Sequence, residues 1–239
     1  MIQSLFLLAT LLGASTPDGQ DSGSRQTLQG PSFRCTGTLS PTEALICSDV
    51  ELSAYDRAVA FAYSHKWYPQ DQHRRDQLAW LKDRNACGGD RSCVLSAYSV
   101  WVGGLSILDY RGDSLTRTDD VPRNADDLIL GTLQSPTGEV KPLGDSGNIM
   151  IQPVGGGWYL FGAIAEHFYD PHDGLGPNVS TAESGGMVRI VGGKGTYADD
   201  PADPNACAIE FTKLSNGGWR LDENGQCGGV GATLSGVYR

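Results

Sequence analysis

The stretch Ser40-Pro41-Thr42-Glu43-Ala44-Leu45-Ile46-Cys47-Ser48-Asp49-Val50-Glu51-Leu52-Ser53-Ala54-Tyr55 decides how the first half of the chain folds. Ser40 and Glu43 stand three apart, so each side chain can satisfy the other's exposed backbone N–H, and Pro41 takes the first helical position, where its missing N–H costs nothing. A short helix to about Cys47 follows. Ser48-Asp49-Val50-Glu51 repeats the pattern and opens a longer helix. Its apolar positions Leu52, Tyr55, Val59 and Ala62 lie on one face at a 3.6-residue period. Tyr68-Pro69 ends it, because the residue before proline is pushed out of the helical region.

Downstream the same reading predicts a helix over residues 74–85, with Leu78, Trp80 and Leu81 facing inward and Gly88-Gly89 as its stop. Ser92 would cap a last helix carrying Val94, Leu95, Tyr98, Trp101, Val102 and Leu105. Upstream, residues 4–13 form an apolar run of about ten residues, the length of a signal-peptide core and too short for a bilayer. Small residues follow, so cleavage is expected near Ala14, although Met1, Ile2 and Gln3 add no Lys or Arg. No cysteine follows the run to accept a lipid, and no later segment reaches the length of a membrane span. The expected organisation is a signal peptide over 1–14, a polar linker over 15–32, a helical domain over 33–110, a linker over 111–124 and a β-rich domain over 125–239.

In that last segment the period changes to two. Strands are predicted over residues 128–133, 148–153, 158–164, 187–191, 206–214, 218–221 and 233–238, divided by Gly, Asn and Asp turns such as Asn216-Gly217 and Asn224-Gly225. Gly155-Gly156-Gly157 and Gly185-Gly186 read as loops or bulges. The fold class expected is therefore α + β in separate domains: a disulfide-stapled helical hairpin or bundle, then a small antiparallel sandwich or barrel.

The six cysteines, an even count in a chain read as exported, point to disulfides. They contain no CxxC pair and have no neighbouring histidine, which argues against a zinc or thioredoxin-like centre. Cys207 and Cys227 would staple neighbouring strands. Antiparallel helix packing suggests Cys47 with Cys87, leaving Cys35 for Cys93, one of three connectivities that four cysteines allow.

The formal charge is −10. Residues 33–110 hold eight basic and nine acidic side chains, and residues 111–239 hold nine and seventeen. An acidic second half opposes binding to nucleic acid or an anionic membrane and favours a cationic partner. Of the four histidines, His65 and His73 flank a helix bend and read as solvated surface. Glu166-His167 with Asp170-Pro171-His172-Asp173 is the one dense titratable cluster, but it lies on a proline- and glycine-bearing stretch with no fixed ligand spacing. Residues 199–205 resemble a calcium loop in composition alone and read as a turn between strands. Asn178-Val179-Ser180 fits a glycosylation sequon, and Trp158 and Trp219 read as core. GxSxG, HExxH and phosphate-cradling loops are absent. No catalytic residue, metal site or cofactor is expected.

The helical motifs resemble a known family. Pro31-Ser32-Phe33-Arg34-Cys35, Thr42-Glu43-Ala44-Leu45-Ile46-Cys47 and Glu51-Leu52-Ser53-Ala54-Tyr55-Asp56-Arg57 look like the opening of the LprI-type lysozyme inhibitor domain. The likeness continues through Ala62-Tyr63, Arg75-Asp76-Gln77-Leu78-Ala79-Trp80-Leu81, Asp83-Arg84-Asn85-Ala86-Cys87-Gly88, Cys93 and Tyr98, about a third of the chain. The resemblance implies a cysteine-stapled helical module of an exported bacterial envelope protein, and its family is named for a member that inhibits lysozyme. The expectation is thus a periplasmic or secreted, non-enzymatic inhibitor of a cationic lysozyme-type hydrolase. The alternative is a non-catalytic envelope module that recognises a protein or glycan.

Overall fold

The computed structural model describes residues 29–65, 70–103, 115–118, 132–134, 140–142, 146–169, 178–229 and 231–239. Four helices, α1 (Pro41–Ser48), α2 (Val50–His65), α3 (Gln70–Ala86) and α4 (Arg91–Gly103), precede the strands. The strands are β1 (Leu115–Thr116), β2 (Thr132–Gln134), β3 (Val140–Pro142), β4 (Ser146–Gly155), β5 (Trp158–Tyr169), β6 (Asn178–Arg189), β7 (Lys194–Ala198), β8 (Ala208–Lys213), β9 (Trp219–Glu223) and β10 (Gly236–Tyr238). The expected α + β class holds, with the helices N-terminal and two antiparallel four-stranded sheets after them.

Local chemistry sets the starts of α1, α2 and α4. Ser40 and Glu43 form the predicted reciprocal cap of α1. The next helix begins one residue later than the sequence pattern suggests: Asp49, not Ser48, is its cap, accepting from the N–H groups of Glu51 at 2.9 Å and Leu52 at 3.0 Å. Likewise Asp90, not Ser92, caps α4, through the N–H groups of Ser92 and Cys93. At both starts the aspartate outcompetes the nearby serine because its carboxylate is charged and faces the helix's positive end.

The disulfides differ from the nested expectation. Cys35 pairs with Cys47 and Cys87 with Cys93, while Cys207 pairs with Cys227 as expected. The cause lies in α1. Its N-terminal Thr42 meets the end of α3, donating to the carbonyls of Gly88 at 2.8 Å and Asn85 at 3.3 Å. Five residues on, at about 1.5 Å per residue, Cys47 sits at the far end of α1, away from Cys87. It bonds instead to the incoming N-terminal segment, and Cys87 closes the short turn into α4.

The strands stack as β1-β4-β5-β6 and β10-β9-β8-β7, with β2-β3 a separate pair. Leu115 and Thr116, inside the stretch expected to link the domains, pair with Ile149 and Asn148 of β4. β6 runs from Asn178 straight through Gly185-Gly186, which face Gly162 and Phe161 of β5 rather than forming a loop. β7 lies outside the predicted strands; Gly195 and the polar residues at 194–198 mask its alternation. Of the strand predicted at 128–133, only Thr132 and Leu133 lie within the described residues.

The first sheet is the middle layer. One face sends Met150, Val154, Leu160 and Met187 into the cluster formed by Leu52, Val59, Trp80, Tyr98 and Val102 of the helices. Its other face sends Ile149, Phe161, Ala163 and Val188 against Ile209, Phe211, Trp219 and Leu221 of the second sheet. Helices, sheet and sheet thus form three layers over two cores. Arg57 fastens the first seam: its guanidinium donates to the carbonyls of Val154, Gly155, Gln29 and Gly30. Gly155 has φ +89°, a backbone conformation that L side chains rarely adopt, so glycine is favoured at that crossing.

Candidate functional site

Residues that carry the family resemblance converge on one buried point between α2, α3 and α4. Asp56 and Arg84, 6% and 5% exposed, are placed with Asp56 Oδ1 3.4 Å from Arg84 Nη1. Tyr98 Oη donates to Asp56 Oδ1 at 2.8 Å and accepts from Arg84 Nη1 at 2.9 Å. The Ser32 amide and hydroxyl donate to Asp56 Oδ2 at 2.8 and 2.6 Å, tying down the N-terminal segment. Arg84 also lies over the rings of Trp80 and Tyr98, and Trp80 Nε1 donates to the Ala97 carbonyl at 3.0 Å. Burial, then the Asp56 carboxylate, push the Tyr98 hydroxyl far above its usual range. With every partner an internal one, this is the framework of the helical region, closed to a ligand. Of the helical positions expected inward, Leu78 is instead 55% exposed.

The titratable cluster is only partly placed. Glu166 accepts from the Ser146 hydroxyl at 3.2 Å near the end of β5. The neighbouring His167 ring packs against Gly231, where a Cβ would lie 2.5 Å from it. Asp170, His172 and Asp173 lie outside the described residues, as do the side chains of His65 and His73. Residues 199–205 form a turn as expected: the carboxylates of Asp200 and Asp203 accept from the amides of Ala202 and Asn205, both at 2.9 Å. Trp219 is core, edge-on to Tyr159 and Phe211, whereas half-buried Trp158 leans on Tyr55. Among the described residues no three His, Cys, Asp or Glu side chains gather as a metal site.

A broad concavity lies where β6, the edge of the middle sheet, passes between α4 and β7. It encloses about 840 Å³, open on one side. Glu51, Tyr55, Ser99, Val100 and Val102 form the helical wall, and Glu183, Gly185, Gly186, Met187, Tyr197 and Asp199 the other. Gly186 is fixed by packing, since a Cβ there would lie 2.5 Å from Tyr197 Cε2. The Tyr197 hydroxyl donates to the Gly185 carbonyl at 3.0 Å, and Ser184 Oγ donates to Asp199 Oδ1 at 3.3 Å. Burial, then the Asp199 carboxylate, raise the Tyr197 pKa, so the phenol stays a neutral donor.

The lining holds three carboxylates and no Lys, Arg or His. Arg91 neutralises Glu51, at 2.6 Å, from outside the groove. Glu183 and Asp199 remain as its charge. Sequence reading missed this site: Glu183 lies between the predicted strands at 158–164 and 187–191, Asp199 in a turn, and their juxtaposition needs the β6–β7 crossover between sheets. Only the acidity of the second half pointed toward it. Compared with known proteins, the chain matches no family model, no curated protein and no solved structure.

Proposed function

We propose that this is a periplasmic or secreted envelope protein, without catalysis of its own, that inhibits a cationic lysozyme-like peptidoglycan hydrolase. The observation that carries this reading is the open groove at the β6 edge, with its acidic lining and no basic side chain. Such a surface attracts a cationic enzyme over long range and accepts its basic groups on contact. The resemblance of the helical motifs to the LprI-type domain supports the same direction. Three disulfides with no free cysteine suit an oxidising compartment, and no helix among the described residues is long and apolar enough to cross a membrane.

The test is lysis of a cell-wall suspension by lysozyme, with and without the oxidised protein at micromolar excess, in low and in high salt. Inhibition that weakens as salt rises is the expected result. Undiminished lysis in low salt overturns the inhibitor reading. The alternative then stands: Tyr55 and Tyr197 in the groove wall also suit an envelope module that docks a glycan or another protein.

A further inference from the structure

We infer that the groove takes a single arginine side chain of the partner protein, and that the β region supplies the charge that reads it while α4 supplies an apolar wall. This deepens the proposed partner site and rests on the reading of that groove as one.

The backbone phase of β6 comes first. The Ile190 amide turns inward to the Gly157 carbonyl at 2.7 Å, so even-numbered positions bond toward β5. Odd-numbered positions turn outward: the Thr181 carbonyl accepts from Gly229, and the Gly185 carbonyl from Tyr197. In an antiparallel ladder this alternation carries through, so Gly185 and Met187 present backbone groups at the free edge, where the groove lies. These edge groups are N–H donors as well as carbonyls, and the Gly185 carbonyl already accepts from Tyr197. The lining side chains tip the balance: Glu183 and Asp199 add carboxylates, and the remaining polar side chains are another carboxylate and hydroxyls, with no N–H donor among them.

A guanidinium is the chemical complement: five N–H donors in a planar fork, no acceptor and a permanent charge. Its three-carbon stem needs apolar cover, which Val100 offers on α4, 75% exposed, opposite Met187 on β6. Charge is unevenly divided between the walls. Glu51, the carboxylate on the helical wall, is already held by Arg91, whereas Glu183 has no ion pair among the described residues and Asp199 bonds only neutral groups. The helical region alone therefore carries half a site, and that half is the uncharged one.

Anisotropy of dye-labelled tetra-arginine on the full oxidised protein tests this, with tetra-glutamate as the charge-reversed control. Glu183→Gln with Asp199→Asn removes both charges while leaving an oxygen for Ser184, and should weaken tetra-arginine binding about ten-fold with a shallower salt dependence. Glu183→Gln alone, at an exposed position, should cost about three-fold and guards against a folding defect. Glu210→Gln with Asp222→Asn removes the same charge from exposed positions outside the groove and should change affinity less than about two-fold. Equal losses from the two double variants, or no tetra-arginine binding in low salt, overturn the inference. Lysozyme left uninhibited by a protein whose groove variants lose tetra-arginine would instead fault the proposed enzyme target.

Discussion

The two regions solve the problem of holding a chain together in opposite ways. The helical region buries charge: Asp56 and Arg84 meet at its centre, with Tyr98, Ser32 and aromatic faces satisfying their remaining bonds. The β region buries hydrocarbon: Phe161 meets Phe211 edge-on, Leu221 and Ile209 are fully enclosed, and Ser184 is its one buried polar side chain among the described residues. The density of motif in the helical region reflects this difference. A buried ion pair tolerates few substitutes, so Tyr55-Asp56-Arg57, Trp80, Arg84 and Tyr98 read as a signature, yet they make a scaffold. An apolar sandwich accepts many sequences. The acidic groove, which is open to solvent, draws its unpaired charge from the motif-poor side.

Breaking each core tests that contrast most sharply. Asp56→Ala leaves Arg84 buried without its counter-ion and should cost about 3–5 kcal/mol in denaturant unfolding, the penalty for stranding one member of a buried pair. Replacing Asp56 and Arg84 together by apolar residues of similar volume should cost much less. Phe211→Ala, a cavity in the second core, should cost about 3–5 kcal/mol without any such rescue. Because the middle sheet contributes to both cores, both variants should shift one cooperative transition. Two separate transitions, one moved by each variant, would show instead that the regions unfold independently.

Much of the helical region was legible because helix signals are local. Ser40 with Glu43, the period from Leu52 to Ala62 and the glycines after Ala86 each act within about three turns. The misreadings were of a different kind. Choosing Asp49 over Ser48 and Asp90 over Ser92 needs the competition between two adjacent caps. Choosing Cys35–Cys47 over Cys47–Cys87 needs the knowledge that Thr42, and not Cys47, meets the end of α3. In the β region the alternation of β4, β5 and β8 was visible, but Gly185-Gly186 concealed the middle of β6, where glycine is required by the Tyr197 ring lying above it. The groove was illegible for the same reason, since its walls come from residues about 50, 100, 185 and 198.

The staples extend the comparison at smaller magnitude. Loop-closure entropy assigns about 3 kcal/mol each to Cys35–Cys47 and Cys207–Cys227, and about 2 kcal/mol to Cys87–Cys93, which closes the shortest loop. Serine pairs at each bridge should follow that order in denaturation midpoints. A Cys87/Cys93 variant losing the most would mean that the bridge orients α4 in a way that chain entropy does not capture.

Acid should act on the helical region through its caps. Burial opposes ionisation of Asp49, but Arg91 and the amides of Leu52 and Glu51 outweigh it and hold the carboxyl below its ordinary 3.8. Asp90 is held low by the Cys93 and Ser92 amides and the Ser92 hydroxyl, and Glu43 by Ser40. A folded-state pKa below the unfolded value contributes stability that is fully present above the unfolded value and disappears as pH falls through the folded one. Helix ellipticity should therefore begin to fall below about pH 4–5, before added salt is considered, and Asp49→Asn should flatten the decline. An unchanged acid profile in that variant would remove the Asp49 cap from the account.

The smallest effect concerns the one apolar helical position, among the described residues, that the sequence pattern put inside and the structure puts outside. Leu78 and Trp80 share a helix and were expected to share a core, but Leu78 is 55% exposed while Trp80 is 8% exposed and stacks on Trp101. Leu78→Ala removes little buried surface and gains helix propensity, so unfolding stability should stay within about 0.5 kcal/mol of the parent chain. Trp80→Ala should cost about 3–5 kcal/mol, since it removes a large buried ring with its bond to the Ala97 carbonyl and uncovers Arg84. A large loss at Leu78 would show that this face of α3 is covered in solution, and the contrast between a helical region closed inward and a β region with an open acidic edge would have to be redrawn.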